Sequence, residues 1–204
     1  MELRPHDLLR LGGPGAIEAT DAPDWVAESL RVAPWVVVRR AGLVRGRCAI
    51  GVRGSTRAER FGAFLAPEAI VERLSPEDLV DRAPLRAHPA FAAMAQLRPR
   101  LDELGLVWGP AGAAGYELAS RRAALHAESD LDLVVRVVAP PSRAALAAVA
   151  AAASRASVRI DVLLETPRGA VALDELLRHA PDILLRTSAG PRLAARGELF
   201  CTPC

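Results

Sequence analysis

The sequence predicts an α+β protein in two parts, a small N-terminal α+β domain over residues 1–85 and a C-terminal domain over residues 86–204. Hydrophobic residues make up 51% of the chain, which is enough for a packed core and argues against disorder. Short β-rich runs alternate with helical patterns, which is typical of strands and helices built around sheets. Pro84 and Pro89 interrupt a linker-like stretch, so we place the domain boundary near residues 82 to 92.

The N-terminal part is predicted to hold a β-hairpin and short helices. β-branched and aromatic residues are concentrated in residues 34–40 and 47–53, so both are predicted strands, joined by a glycine-containing turn over residues 42–46. A helix is predicted over residues 23–30, where an aspartate can cap the first turn. Residues 75–79 have the form of another helix start, with serine at the cap and proline at the first helical position.

A further helix is predicted over residues 55–61, and it would carry a cluster of arginines. Arg57 and Arg60 are three apart and would share one helical face, with Arg53 just upstream. Such a cluster can hold a phosphate or an acidic partner. The alternative is a solvated face paired with Glu59, and spacing alone does not decide between the two.

In the C-terminal part, strand and helix patterns alternate. A glycine turn follows the apolar run at residues 106–109, Pro140 and Pro141 stop a later one, and Ser142 caps an alanine-rich helical run. These patterns predict a helix over residues 90–104, a strand over 106–109, a helix over 116–120, a strand over 130–138, a helix over 142–155, a strand over 157–165, a helix over 173–179 and a final strand over 183–187.

A glycine-punctuated turn and a pair of aspartates stand out within this pattern. Gly109, Gly112 and Gly115 follow the strand at residues 106–109 and lead into a helix, so backbone N–H groups there can approach a phosphate. Asp130 and Asp132 begin the next strand, and side chains two apart on a strand point to the same face. Together these features predict a site for a metal-bound polyphosphate, because Mg²⁺ commonly takes carboxylates together with substrate phosphates.

Asp161 is a third acidic residue, set into an otherwise apolar strand after one helix. A carboxylate on a neighbouring strand, facing the same way as Asp130 and Asp132, would complete a two-metal site for phosphoryl or nucleotidyl transfer. The alternative is an edge-strand carboxylate paired with Arg159. We favour the metal interpretation, because the glycine turn and both strands agree.

Composition and charge bear on other functional classes. The formal net charge of +2 provides no polycation for non-specific nucleic-acid binding. The first residues lack the basic and apolar regions of a signal peptide, and the apolar run over residues 144–153 is too short to span a bilayer. We therefore expect a cytoplasmic protein that binds neither nucleic acid nor membrane.

The order of a glycine turn, two aspartates and one later aspartate resembles the nucleotidyltransferase (polymerase β-like) superfamily, which implies a mixed sheet in the C-terminal domain. A narrower resemblance rests on the blocks RPHDL at residues 4–8, APWVV at 33–37, GVRG at 51–54, WGP at 108–110, SDLDL at 129–133, DVLLETP at 161–167, LRT at 185–187 and GPR at 190–192. In these blocks the chain resembles the malonate decarboxylase holo-acyl-carrier-protein synthase family, the MdcG-like phosphoribosyl-dephospho-CoA transferases.

The resemblance implies an activity and a set of site residues. A member of this family moves a 2′-(5″-phosphoribosyl)-3′-dephospho-CoA group from triphosphoribosyl-dephospho-CoA to a serine of the apo acyl carrier subunit of malonate decarboxylase, with release of pyrophosphate. By that resemblance Asp130, Asp132 and Asp161 bind Mg²⁺, or Mn²⁺ in its place, and Asp161 is a candidate proton acceptor. The substrate-binding candidates are Gly109, Gly112, Gly115, Ser129, Arg53, Arg57 and Arg60.

The glycine turn departs from the family pattern at one position. The family usually carries Gly-Ser in this turn, whereas here Ala113 follows Gly112, so a hydroxyl contact to phosphate is lost and only backbone amides remain. Two other functions therefore stay open: a different nucleotidyltransferase that uses ATP on a protein or a small molecule, and a non-catalytic homologue.

Overall fold

The computed structural model describes residues 2–17, 19, 21–56, 58–178 and 180–201, and these form a mixed α+β protein with two sheets. The predicted α+β class is confirmed. Across the described ranges, none of the helices is long and apolar enough to cross a lipid bilayer.

The N-terminal unit is a five-stranded antiparallel sheet with one helix against it. Its strands pair in the order β4-β3-β2-β1-β5. The helix packs its buried Val26 and Leu30 onto one face of the sheet. The elements are β1 (Leu8–Leu11), α1 (Asp24–Val32), β2 (Trp35–Val38), β3 (Cys48–Arg53), β4 (Arg60–Leu65) and β5 (Ile70–Leu74).

The hairpin of β2 and β3 and the helix α1 confirm the sequence predictions, but the helix predicted over residues 55–61 is wrong. Residues 54–56, 58 and 59 lie outside any helix or strand, and β4 begins at Arg60. The Glu59 carboxylate accepts hydrogen bonds from the Ser55 hydroxyl and the Thr56 N–H, both at 2.9 Å. A serine-threonine-glutamate pattern that often caps a helix here closes a loop between two strands.

The C-terminal unit is built on a six-stranded mixed sheet. Its strands pair in the order β11-β10-β9-β8-β7-β6, and within the described ranges β7 and β8 are the one parallel pair. The long helices α2 and α4 pack together over the apolar face. The elements are α2 (Pro89–Glu103), β6 (Val107–Pro110), α3 (Gly112–Ser120), β7 (Leu131–Arg136), α4 (Arg143–Ala153), β8 (Ile160–Thr166), β9 (Gly169–Ala172), α5 (Leu173–Leu177), β10 (Asp182–Thr187) and β11 (Gly190–Ala195).

These elements confirm the predicted C-terminal helices and strands to within a few residues, with three exceptions. The helix predicted from residue 116 begins already at Gly112. Strands β9 and β11 were not predicted, so the final strand is β11 rather than the one ending at Thr187. In the N-terminal unit β1, β4 and β5 were likewise not predicted. The domain boundary near residues 82 to 92 stays a prediction.

The two units share a hydrophobic core. One face of the N-terminal sheet packs on α1, whereas Leu8, Trp35 and Leu74 on the other face belong to the same buried cluster as the C-terminal helices and strands. Because apolar burial contributes in proportion to the area removed from water, this shared cluster fixes the two sheets relative to each other.

Ionic contacts join the units beside this core. Arg136 of β7 pairs with Glu77 and lies 3.6 Å from the fully buried carboxylate of Asp7. Glu165 of β8 pairs with Arg40 and lies 3.3 Å from His6 Nε2. Both C-terminal residues thus point from the sheet toward the N-terminal unit.

Candidate active site

The predicted site lies in a cleft of about 610 Å³ between the two units. One wall comes from strands β2, β3 and β4 of the N-terminal sheet, and the other comes from the start of α3 and from β7 and β8. The ionisable side chains on these walls are mainly basic on the N-terminal side and acidic on the C-terminal side. Among the described residues, the charged lining consists of Arg39, Arg53, Arg60, Asp130, Asp132 and Asp161.

The mixed sheet brings the predicted aspartates together. Asp132 of β7 and Asp161 of β8 are direct partners in the parallel pairing, and Asp130 precedes β7 by one residue. The intervening Leu131 and Leu133 are buried in the core, so the aspartates occupy the opposite face of the strand. The sequence prediction of a shared face for Asp130 and Asp132 therefore agrees with the cleft that all three aspartates line.

Gly112 lies directly against Asp132. Its φ of +55° lies in the left-handed region, and a Cβ placed there would overlap the Asp132 carboxylate. The Ala111 N–H donates to the Asp132 backbone carbonyl at 2.9 Å, which ties the turn to β7. Only glycine at position 112 lets α3 begin beside the carboxylate, and the first N–H groups of α3 start at this point.

The other two predicted glycines have packing roles. Gly109 lies in β6, where a Cβ would overlap the backbone carbonyl of Pro76. The Gly115 N–H donates to the Ala111 carbonyl at 2.9 Å within α3, and a Cβ there would lie 2.6 Å from the Pro110 carbonyl oxygen. Neither lines the cleft in the described structure, so the amides that remain for a phosphate are those of Gly112 and the residues directly after it.

Ser129 supports the segment that leads to the first aspartate. Its hydroxyl accepts a hydrogen bond from the His126 N–H at 2.8 Å, and its own N–H donates to the His126 carbonyl at 2.9 Å. This closed turn fixes Asp130 at the mouth of the cleft, which Ser129 and His126 also line.

Asp161 has features of both interpretations that the sequence left open, the metal ligand and the carboxylate paired with Arg159. Arg159 donates to its Oδ1, from Nε at 3.0 Å and from Nη2 at 2.9 Å. However, β8 is an inner strand of the sheet, and Asp161 still faces the cleft beside Asp132. The pairing with Arg159 is thus real, whereas the edge-strand position is not.

The carboxylates suit Mg²⁺ in their chemistry, although they do not form a complete cage. Among the described residues, no group of three His, Cys, Asp or Glu side chains is arranged to hold an ion by itself. Mg²⁺ is usually held by one or two carboxylates together with phosphate oxygens, so neighbouring Asp132 and Asp161 fit an ion that arrives with a polyphosphate. The metal stays a prediction.

The predicted arginine cluster lies on the opposite wall in part. Arg53 and Arg60 are directly opposed on β3 and β4, and both line the cleft. Arg57 lies outside the described residues. Burial, and then the adjacent charge of Arg60, lowers the pKa of the Arg53 guanidinium, which also donates to the Ala124 carbonyl at 2.8 Å and stacks 6.0 Å from the ring centre of Tyr116.

Glu117 is a site-supporting residue that sequence reasoning missed. It is fully buried, and its carboxylate accepts hydrogen bonds from Arg86 and from the N–H groups of Ala124 and Leu125 at 2.8 and 3.0 Å. Burial alone would raise the pKa of Glu117, but these hydrogen bonds outweigh it and hold the pKa below its ordinary value. The sequence does contain a signal for a buried, hydrogen-bonded carboxylate, because Glu117 is an acidic residue in an otherwise uncharged helix.

A second cavity of about 920 Å³ adjoins the first at the aspartates. Asp132, Asp161, Gly112 and His6 line both cavities, whereas the outer walls of the second come from α4, β8 and α5. The aspartates therefore lie where two openings meet.

Comparisons with known proteins agree with the resemblance drawn from the sequence. The family model described as the phosphoribosyl-dephospho-CoA transferase MdcG N-terminal domain matches residues 4–76, and the model of the C-terminal domain matches residues 78–197. No solved structure matches the chain.

Curated relatives cover nearly the whole chain and carry the name phosphoribosyl-dephospho-CoA transferase. The protein of Pseudomonas syringae pv. tomato is 42% identical over 193 residues, which cover 94% of this chain and 91% of the relative. That of Pseudomonas putida is 44% identical, covering 94% and 93%. That of Azotobacter vinelandii is 41% identical, covering 93% and 92%. With both domain models matched and relatives this similar, the chain belongs to the MdcG family of phosphoribosyl-dephospho-CoA transferases.

Proposed function

We propose that this protein transfers a 2′-(5″-phosphoribosyl)-3′-dephospho-CoA group from its triphosphate precursor to a serine of the apo acyl carrier subunit of malonate decarboxylase, and releases pyrophosphate. The observation that carries the proposal is the adjacent pair Asp132 and Asp161 beside the Gly112 turn, facing an arginine-lined wall. Aspartates on one wall and arginines on the other suit a metal-bound donor that carries more than one phosphate group and spans the cleft.

The charges of the cleft favour a polyanion accompanied by a divalent cation. Within the described part of the chain, three arginines and three aspartates line it, and one of those aspartates is already paired with Arg159. A divalent cation at the aspartates would leave an excess of positive charge that the phosphate groups of the donor neutralise. Asp132 and Asp161 would hold Mg²⁺ together with phosphate oxygens, and Asp130 lines the cleft beside them. When bound, the ion would neutralise charge on the phosphates and the departing pyrophosphate.

Backbone amides of α3 and the Asp161 carboxylate supply the other functions that the transfer needs. The first N–H groups of α3, from Gly112 onward, bind the triphosphate oxygens, as helix N-termini do in other phosphate sites. The serine oxygen of the carrier attacks the α-phosphorus, the bond to the β-phosphate oxygen breaks, and the hydroxyl proton passes to a carboxylate. We assign the proton to Asp161 Oδ2, because Arg159 holds Oδ1.

The two adjoining cavities give each substrate its own approach. The donor occupies the cleft between the units, where the glycine turn and the arginines meet. The acceptor serine enters through the second cavity, past α4 and α5, and reaches the α-phosphorus at the aspartates that both cavities share. In-line displacement requires the attacking and leaving oxygens to lie on opposite sides of phosphorus, which two openings allow.

Intact-mass spectrometry of the apo carrier subunit tests the proposal. The carrier is incubated with this protein, Mg²⁺ and triphosphoribosyl-dephospho-CoA, and ATP replaces the donor in a parallel reaction. We expect a mass gain equal to the phosphoribosyl-dephospho-CoA group, abolished by EDTA and by Asp132→Asn. The surface variant Asp81→Asn is the matched control and should behave as wild type.

Other outcomes would contradict the proposal. An adenylyl gain in the ATP reaction alone would indicate a different nucleotidyltransferase. No gain in either reaction, with folded protein and competent carrier, would indicate a non-catalytic homologue. Wild-type turnover by Asp132→Asn would refute the role of the aspartates.

A further inference from the structure

A pair of glycines and a pair of arginines lie side by side on the N-terminal wall of the cleft. In the pairing of β3 with β4, Gly51 is opposite Gly62 and Arg53 is opposite Arg60. Because residues two apart on a strand share a face, all four residues lie on the face of the sheet that lines the cleft. This part of the wall therefore has no side chains at Gly51 and Gly62, which we call the glycine strip, and guanidinium groups lie next to it.

Arg39 lies across this glycine strip. Its Cδ and Cγ atoms would lie 3.6 and 3.7 Å from a Cβ at Gly51, and its Nη1 would be overlapped by a Cβ at Gly62. The side chain thus runs over both glycines in the open groove that the missing side chains leave. A larger residue at position 62 would push the guanidinium aside, so the two glycines leave the space that Arg39 occupies.

Positive charges lie close together on this wall. Among the described residues no carboxylate forms an ion pair with Arg39, although the residue lines the same cleft as Arg53 and Arg60. Like charges directly opposite on neighbouring strands are destabilising. Burial and the charge of Arg60 both lower the pKa of Arg53, which reflects the same crowding. An anion placed between the guanidinium groups would relieve it.

We propose that Arg39, Arg53 and Arg60 form a second anion subsite, which binds the diphosphate bridge of the dephospho-CoA moiety. The inference rests on the proposed function, because it assumes that donor. The donor carries two separate phosphate groups, a triphosphate and a diphosphate bridge, with two ribose rings between them. The triphosphate must lie at Gly112 and the aspartates to react, so the arginine wall is left for the diphosphate. The N-terminal sheet then recognises the donor.

Binding of two ligand fragments to the intact protein tests the subsite. We would titrate 3′-dephospho-CoA, which has the diphosphate but no triphosphate, and separately tripolyphosphate with Mg²⁺, by isothermal calorimetry. The variants are Arg39→Gln, which removes the charge, and Gly62→Ala, which keeps the charge but displaces it. Arg10→Gln is the matched control, because Arg10 is on the same sheet and pairs with Glu72 outside the cleft.

We expect Arg39→Gln to weaken 3′-dephospho-CoA binding about tenfold or more, the loss typical of a charge-assisted hydrogen bond. Gly62→Ala should weaken it in the same direction, whereas tripolyphosphate binding should stay within about twofold of wild type. The subsite would be refuted if both variants bound 3′-dephospho-CoA as wild type does, if wild type failed to bind it, or if tripolyphosphate binding fell equally.

The subsite and the proposed function can fail separately. If wild type modifies the carrier but Arg39→Gln binds 3′-dephospho-CoA unchanged, the function stands and the subsite is wrong. If wild type binds 3′-dephospho-CoA through Arg39 yet never modifies the carrier, the subsite stands and the proposed transfer is wrong.

Discussion

Gly112→Ala tests whether the glycine turn sets the position of the Asp132 carboxylate, to which we assign a role in metal binding. The alanine Cβ would overlap Asp132 Oδ2, and real Cβ contacts are essentially never shorter than 3.0 Å, so the carboxylate must move. A movement of roughly 1 Å in a catalytic group can lower the rate about a hundredfold. The left-handed backbone at φ +55° adds a cost of about 1–2 kcal/mol in stability for a residue with a Cβ.

Gly105→Ala separates the two effects. Gly105 has φ +63° after the end of α2, but nothing lies within 4 Å of a Cβ placed there. Both variants should lose similar stability in thermal unfolding, and only Gly112→Ala should lose carrier modification in a time course by intact-mass spectrometry. Equal turnover in the two variants would refute the argument that Asp132 must sit against a bare glycine.

Three further expectations concern buried charge. Glu117→Gln leaves N–H donors of the loop before β7 or of Arg86 unpaired, so unfolding free energy should fall by about 2 kcal/mol in urea titrations at neutral pH. Because hydrogen bonds hold the pKa of Glu117 below its ordinary value of 4.5, this contribution is present above that pH and lost as the pH falls below it. The difference between wild type and Glu117→Gln should therefore shrink in acid, and a constant difference would contradict the assignment. Arg136→Met removes the cation nearest to Glu77 and one of the two beside the buried carboxylate of Asp7, which keeps Arg73, so it should cost about 1.5–3 kcal/mol. Arg98→Met, at an exposed pair, should cost below about 1 kcal/mol.

The candidate site was accessible to sequence reasoning where local patterns carry it. The spacing of Asp130 and Asp132 fixes a shared face once β7 is a strand, and the apolar Leu131 and Leu133 fix which face is buried. The strand that bears Asp161 was also predictable, because its alternate residues are apolar. Its parallel pairing with β7 follows from the helix α4 between them, since parallel strands need such a crossover.

What the sequence could not show depends on contacts between distant segments. Residues 55–61 contain a good helix cap, but Glu59 closes a loop and the partner strand β3 recruits the following residues into the sheet. Arg39 has no distinguishing local pattern, and its place in the cleft follows from glycines that lie 12 and 23 positions further along the chain. Tertiary contact overrides local propensity in both cases.

The carboxylates of the site and the anchors of the N-terminal unit share one face of two adjacent strands. Asp132 and Asp161 form one cross-strand pair, and Arg136 and Glu165 form the pair four residues on. The N-terminal unit is thus attached by ion pairs to the same two strands, β7 and β8, that carry the aspartates of the candidate site. A chimera that exchanges the N-terminal sheet between relatives should fold only if Arg136 and Glu165 are exchanged with it. We therefore expect the two units to evolve together and not to occur as independent domains.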